Sequence, residues 1–482
     1  MFKLAKCFDI IYLKEPMNAI NELLSSISNI VWGLPLIILL LGTGVLLTLR
    51  LMFIQFRGFW HGVAIARGKY DDPAHKGQLS HFQALSAALS ATIGIGNIGG
   101  VALAIYYGGP GSIFWMWITA LFGMAIKYTE CTLAIKYREV EPDGNILGGP
   151  MYFIKLGMSK KLRPLAYMFA ACTAIAALGS GNMAQSNTVA HSLVDVFEVA
   201  PEMIGTWRWI IGIIISALVG IVIIGGIKRI GRVASFLVPG MSIIYTCSAL
   251  YILILNYEKI LPSFNLIFYH AFNPTAATGG FLGSTVWLTI QWGFKRGLFS
   301  NESGQGSAPM AHSTAKVEEP VREGLVAMLG PFIDTIVICT MTALVIIASG
   351  MWNSGITGAP LTMAAFDKTL PIYGKWMVVI GIFLFAYSTV VGWSYYGEKG
   401  IEYVAGKKAK VPYKWIYIIF TLLGARLDLV AVWSFADIAN ALMAIPNLVA
   451  LIGLSGVMAA MTRKYMKEKK QGLHKPFDKM NH

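Results

Sequence analysis

Residues 83–111 read QALSAALSATIGIGNIGGVALAIYYGGPG. The stretch carries no charge and is long enough to cross a bilayer, which takes about 20 apolar residues. Its middle, Thr92-Ile93-Gly94-Ile95-Gly96-Asn97-Ile98-Gly99-Gly100, is a poor straight helix. Each of the four glycines within 94–100 weakens a helix interior, by about 0.5–1 kcal/mol relative to Ala. A spanning segment that breaks at its centre frees backbone groups at membrane depth. Such groups are tolerated only when buried in protein or lining a cavity. The stretch therefore reads as a broken helix around a polar site. Glycine serving only close helix packing is the competing explanation, and the polarity of Asn97 and Thr92 speaks against it.

Composition sets the frame for that reading. The chain has 482 residues, 56% hydrophobic and only 13% charged, about half the charge fraction of a soluble globular protein. It is expected to be an all-α polytopic membrane protein. A net charge of +14 fits basic cytoplasmic loops. No basic stripe with interleaved aromatics is present, so nucleic-acid binding is not expected. Cys7, Cys131, Cys172, Cys247 and Cys339 show no CxxC spacing and imply neither a disulfide framework nor a metal site.

Within residues 1–30, Ile20, Leu23, Leu24 and Ile27, with Val31 beyond, recur at helical spacing and suggest a short interfacial helix. The first spanning run, 31–49, lacks a small-residue cleavage site and is not a signal peptide. Further runs lie at 83–107, 112–135, 164–194, 207–226, 232–255, 277–300, 324–349, 373–397, 413–433 and 437–461. That makes about 11 spans. With the N-terminus outside, the inner segments hold roughly 29 Lys/Arg and the outer ones roughly 8. The C-terminus is then cytoplasmic, and the basic tail Lys464–Lys479 is expected to be solvated and disordered.

A second broken helix is expected over 277–310, where Gly293, Gly297, Gly304 and Gly306 interrupt the run. Counted from residue 83, the two broken segments are the first and sixth of ten spans. Five plus five, with a discontinuous helix leading each half, points to an inverted-repeat transporter. The expected division is 1–82 for an interfacial segment, accessory helix and connector, 83–256 for repeat one, 276–461 for repeat two, and 462–482 for the tail.

Polar residues inside spans carry the remaining information. In Gly179-Ser180-Gly181-Asn182-Met183-Ala184-Gln185-Ser186, the side chains of Asn182, Gln185 and Ser186 share one helical face and are expected to line a hydrated cavity. Thr389 and Trp393 share a face in the same way. The adjacent hydroxyls of Ser388 and Thr389 admit two readings: an oxygen cage for a hard cation, or bonds back to carbonyls of their own helix. Lys127, Glu130 and Asp334 are ionisable groups near span interiors and are read as structural or gating; Lys127 either snorkels or pairs with Glu130. Half-helix N-termini favour a substrate carboxylate, and nearby carbonyls and hydroxyls favour a small cation. An α-amino acid carried with Na+ fits both.

Gly94-x-Gly96-Asn97-Ile98, Gly108-Gly109-Pro110-Gly111-x-x-Phe114-Trp115-Met116-Trp117, Gly148-Gly149-Pro150-Met151-Tyr152, Lys295-Arg296-Gly297-x-Phe299-Ser300-Asn301-Glu302 and Gly392-Trp393-Ser394-Tyr395-Tyr396-Gly397-Glu398-Lys399 together resemble the alanine or glycine:cation symporter family, over about residues 31–461. The resemblance implies a LeuT-type fold with one extra N-terminal helix. It also implies symport of a small neutral amino acid (alanine, glycine or, in some members, glutamine) with Na+ or H+, in the cell inner (plasma) membrane. Carried over residue by residue, it places substrate contacts at Thr92, Gly94, Gly96, Asn97, Asn182, Gln185, Phe299, Ser300, Asn301, Thr389 and Trp393. The Na+ site would draw on Ser388 and Thr389 with carbonyls near Thr92 and Ile95. The chain departs from the family pattern at Gly99, Ser303 and Gln305, and Gly99 is expected to enlarge the pocket slightly. The other classes considered are a passive channel, for which no repeated filter motif is present, and a membrane enzyme, for which no HExxH or GxSxG constellation is present within the spans. Oligomeric state is not legible.

Overall fold

The description rests on a computed structural model and covers residues 22–474 and 476, apart from 25, 29, 275–283 and 428. Ile20, Cys7, the start of the expected second repeat at 276, and most of the tail beyond His474 lie outside the described residues.

The described chain is almost entirely helical, with one two-stranded hairpin, β1 (Glu139–Val140) and β2 (Ile146–Leu147). In order come α1 (Leu34–Arg50), α2 (Phe59–Ala66), α3 (His81–Thr92), α4 (Gly99–Gly108), α5 (Ser112–Lys136), α6 (Pro164–Leu178), α7 (Ala184–Val196), α8 (Ile204–Ile223), α9 (Gly226–Leu255) and α10 (Ile260–Phe272). They are followed by α11 (Val286–Asn301), α12 (Ala308–His312), α13 (Pro320–Ala348, with a π turn over Phe332–Cys339), α14 (Ala359–Thr369), α15 (Tyr373–Ala405), α16 (Lys410–Gly424) and α17 (Leu429–Lys470). Among the described residues, seven helices are long and apolar enough to cross a membrane. The broken segments are not among the seven, because each break leaves two pieces shorter than a bilayer is thick.

Both breaks have local causes. Ser80 caps α3, accepting from the amide of Gln83, whose side chain returns a bond to Ser80. The helix runs to Thr92, and a single 3-10 turn over Ile95–Asn97 separates it from α4. The second break falls just after Asn301. Glu302, Gly304 and Gly306 there have φ of 55°, 88° and 78°, a left-handed conformation that glycine adopts freely and that ends a helix. Gly293 and Gly297, expected to interrupt this helix, sit inside α11. A Cβ at Gly293 would stand 2.5 Å from that of Trp115, and one at Gly297 would stand 3.1 Å from that of Thr119. These two glycines let α11 lie against α5.

Two further expectations change. The tail is helical through Lys470, because α17 continues past the apolar run. Lys127 does not snorkel: it is 2% exposed, on a face of α5 turned toward the second break.

Candidate functional site

The two breaks meet at the centre of the bundle. A Cβ on Gly94 would lie 2.6 Å from Thr389 Oγ1 and 3.1 Å from Gln185 Oε1. One on Gly96 would lie 3.2 Å from the Phe299 ring. Absence of side chains at 94 and 96 is thus what lets α7, α11 and α15 close on the first break. Gly181 does the same for Trp393, whose Cβ would stand 2.3 Å from an added methyl.

Between these elements lies a small pocket of about 10 Å³ free volume, about what one water requires. Thr92, Gly94, Gly96, Gln185, Phe299, Thr389 and Trp393 line it, so seven of the expected contacts come together. Gln185 spans the break, accepting from the amide of Ile95 at 3.2 Å and donating to the carbonyl of Ser180 at 3.0 Å. Thr389 donates to the carbonyl of Ile93 at 3.2 Å. Ser388 reaches the carbonyl of Ser90 at 3.1 Å and also that of Phe385, one turn back in its own helix, at 3.0 Å. Both readings of the paired hydroxyls therefore have a geometric basis. The carbonyls they meet belong to Ser90 and Ile93 rather than to Thr92 and Ile95. Thr92 Oγ1 bonds back to Ala88 and Leu89, and the Ile95 carbonyl closes the 3-10 turn by accepting from Ile98.

Four expected contacts point elsewhere. Asn182 donates to the Tyr417 carbonyl on α16 at 2.7 Å. A π turn over Gly179–Met183 widens the helix here, so the regular i, i+3 face is lost and Ser180, not Asn182, joins Gln185 at the pocket. Asn97, Ser300 and Asn301 lie behind the pocket, at the π turn of α13. Asn97 accepts from the Gly94 amide at 2.9 Å and donates to Asp334 Oδ1 at 2.6 Å. Ser300 donates to Asp334 Oδ2 at 2.7 Å, and Asn301 donates to Thr335 at 3.1 Å. Asp334, which had no assigned partner in the sequence, is the carboxylate that ties both breaks together.

Two contributors, Glu302 and Asn440, were not among the expected contacts, and Glu130 takes the structural role expected of it. Glu302 lines the pocket, accepting from the Trp393 indole at 2.7 Å and from the Ser307 hydroxyl. Its place in the motif Ser300-Asn301-Glu302 was visible, but the conformation that turns it inward was not. Asn440 holds Ser180 at 2.8 Å, and the two amides of the apolar run 437–461, Asn440 and Asn447, were the available signal. Glu130 supports the second break by accepting from the Gly304 amide at 3.0 Å and from Asn447 at 2.6 Å.

The two ends of the molecule differ. On the face carrying the 195–206 loop lies a larger cavity of about 640 Å³, lined in part by Gly99, His191, Asp195, Arg296, Trp433 and Asp437. Gly99 thus belongs to this cavity and not to the inner pocket. Phe299 stacks on Trp433 with ring centroids 5.1 Å apart and separates the two spaces. Arg296 lies over both rings and pairs with Asp437 at 3.1 Å, and Lys295 joins the same carboxylate at 2.7 Å. The opposite face is sealed. Arg138 donates to the carbonyls of Lys76, Ser313, Ala315 and Val317 at 2.6–2.9 Å. Leu79 and Ala315 form a backbone bridge, and the buried carboxylate of Glu323 joins His81 at the start of α3 to His312 at the end of α12.

Comparison with known proteins gives a consistent result. The family model described as the sodium:alanine symporter family matches residues 17–479. The chain is similar to the sodium/alanine symporter AgcS of Methanococcus maripaludis, at 46% identity covering 92% of this chain and 97% of that protein. It is also similar to the Bacillus subtilis protein named "Probable sodium/glutamine symporter GlnT", at 35% identity covering 95% and 93%. Among solved structures, MhsT in complex with L-phenylalanine shares the fold, with a TM-score of 0.57, 14% identity, and coverage of 79% of this chain and 90% of that one.

Proposed function

The chain belongs to the sodium:alanine symporter family, and from that premise we propose that it imports a small neutral amino acid, alanine or glycine, together with Na+ by alternating access. The observation that carries the proposal is the meeting of two helix breaks around one polar pocket. Backbone amides at the start of α4 favour the substrate carboxylate. Carbonyls at the end of α11, with the carboxylate of Glu302, favour its ammonium group. Trp393, held by Glu302, limits the size of the substrate side chain. The hydroxyls of Ser388 and Thr389 and the carbonyls of Ser90 and Ile93 are neutral oxygens on two helices that meet at the first break, a donor set suited to a hard monovalent cation. Asp334 holds Asn97 and Ser300, so a change at one break is felt at the other.

The proposed layout is 11 spans, with repeats over 83–256 and 276–461, the N-terminus outside and the C-terminus cytoplasmic. The large cavity then faces outward. The 10 Å³ pocket must widen to admit an amino acid, and Phe299, between the pocket and the outer cavity, is the side chain whose displacement opens it.

Uptake of labelled alanine into proteoliposomes, with and without an imposed Na+ gradient, tests the proposal. Accumulation is expected only with the gradient; equal uptake in both conditions removes the coupling. A second reading, H+ in place of Na+, is favoured by one observation, the Glu302 carboxylate on the pocket wall. It predicts accumulation driven by a pH gradient in Na+-free buffer.

A further inference from the structure

At the end of the bundle opposite the large cavity, α1 and α17 finish side by side. Between them lies a groove of about 240 Å³ lined by Arg50, Arg57, Arg463, Lys467 and Lys470, and no carboxylate lines it. Among the described residues, none of these five cations is paired with an acidic side chain. The arginines are nonetheless held in place by neutral acceptors. Arg50 donates to the Ser455 hydroxyl, Arg57 to the Met52 carbonyl at 3.2 Å, and Arg463 to the Ala459 carbonyl at 3.2 Å. Each guanidinium keeps further donors for a ligand.

We propose that this groove binds the phosphate headgroup of an anionic phospholipid. Five clustered cations with spare donors recognise a phosphate, and their surroundings select a lipid over a soluble phosphate. Met52 and Phe53 adopt φ of 55° and 57°, which turns the chain sharply out of α1. That turn leaves Phe53, Phe56 and Trp60 49%, 64% and 78% exposed beside the groove. Exposed aromatics of this kind mark the level of the headgroups. Leu49 on α1 and Ile452 on α17, 59% and 38% exposed, offer acyl chains an apolar surface leading away from the cations. Basic pockets between spans at the cytoplasmic side are the expected place for such headgroups. The site joins the accessory helix to the last helix and is independent of the solute carried. It rests on the chain being a membrane protein with this end cytoplasmic, as in the layout proposed above.

The test uses the purified full-length protein in neutral detergent. Thermal unfolding is followed while dioleoyl phosphatidylglycerol, dioleoyl phosphatidylcholine or glycerol 3-phosphate is added. Phosphatidylglycerol is expected to raise the Tm saturably, and the other two are not. R463Q/K467Q should weaken the phosphatidylglycerol response by about fivefold for each cation removed. K160Q/K161Q, which removes two exposed cations elsewhere, should leave it unchanged, and the charge-preserving R463K/K467R should retain it. An equal response to glycerol 3-phosphate, an equal loss in K160Q/K161Q, or an unaltered response in R463Q/K467Q overturns the proposal. Should the double variant not fold in phosphatidylcholine, the single variants R463Q and K467Q decide by the same criteria. Na+-driven uptake, read separately, reports on the transport reading alone.

Discussion

Gly94 shows how much a missing side chain can decide. Its backbone is extended, with φ of −139°, a conformation open to any residue, so conformational freedom is not why glycine stands there. The reason is space: an added methyl would meet Thr389 and Gln185 inside contact distance. Gly94→Ala should therefore leave α3 and α4 intact while forcing α7 and α15 away from the break. Overpacking of this kind costs about 1–3 kcal/mol. The expected result is an uptake rate lowered roughly tenfold to hundredfold with only a small fall in Tm, read by paired uptake and thermal unfolding. Uptake at the parental level would show that the approach of Thr389 to the break is not needed. Asn97 teaches the complementary lesson. A polar residue within a break suggests a ligand contact, but its amide is spent on Gly94 and Asp334. It fixes the shape of the turn and does not face the pocket.

At the scale of elements, two π turns bear on where the polar side chains fall. One residue added to a helical turn rotates everything beyond it. That rotation moves Asn182 toward α16 and brings Ser180 to the pocket. The second π turn sets Asp334 between Asn97 and Ser300. Hydrophobic periodicity does not reveal a π turn, because adding one residue to a single turn changes the backbone hydrogen bonding and not the order of residue types. The sealed end is also an element-scale device: Arg138, just beyond α5, clamps the segment before α3 to the segment after α12 through four carbonyls. Charge-assisted hydrogen bonds of this kind contribute about 1.5–3 kcal/mol each. Arg138→Gln should loosen both segments, so that amide hydrogen exchange over 76–80 and 313–317 quickens by roughly tenfold or more. Unchanged protection there would show that the Glu323 bridge and the Leu79–Ala315 pairing hold this end closed alone.

The molecule as a whole is asymmetric, with 640 Å³ of space on one side of Phe299 and about 10 Å³ on the other. In the orientation proposed above, that is the arrangement of a carrier resting with its outer path open and its inner path shut. Ser192, on the wall of the larger cavity, gives a way to follow it. With Cys7, Cys172 and Cys247 replaced by Ser, Ser192→Cys should react with a membrane-impermeant thiol reagent from the outer side. Adding Na+ and alanine together should slow the reaction severalfold. Equal rates with and without substrate would exclude closure of this cavity during transport.

The amino-acid sequence alone determined that this chain crosses a membrane many times, where its helices break, and which family it resembles. Those features are local: low charge, apolar runs of bilayer length, and glycines at 94–100 and 304–306 act on the backbone within one turn. Helical spacing put Thr389 and Trp393 on one face, and the family resemblance brought Gly94, Gly96, Gln185 and Phe299 forward with them. Tertiary structure alone decided that Glu302 turns inward, that Asn97 and Ser300 serve Asp334, that Gly99 belongs to the larger cavity, and that Arg138 closes the opposite end. Each of these depends on contacts between residues far apart in the chain, and the place of Asp334 also on helix register altered by a π turn. Neither leaves a mark in the order of the residues.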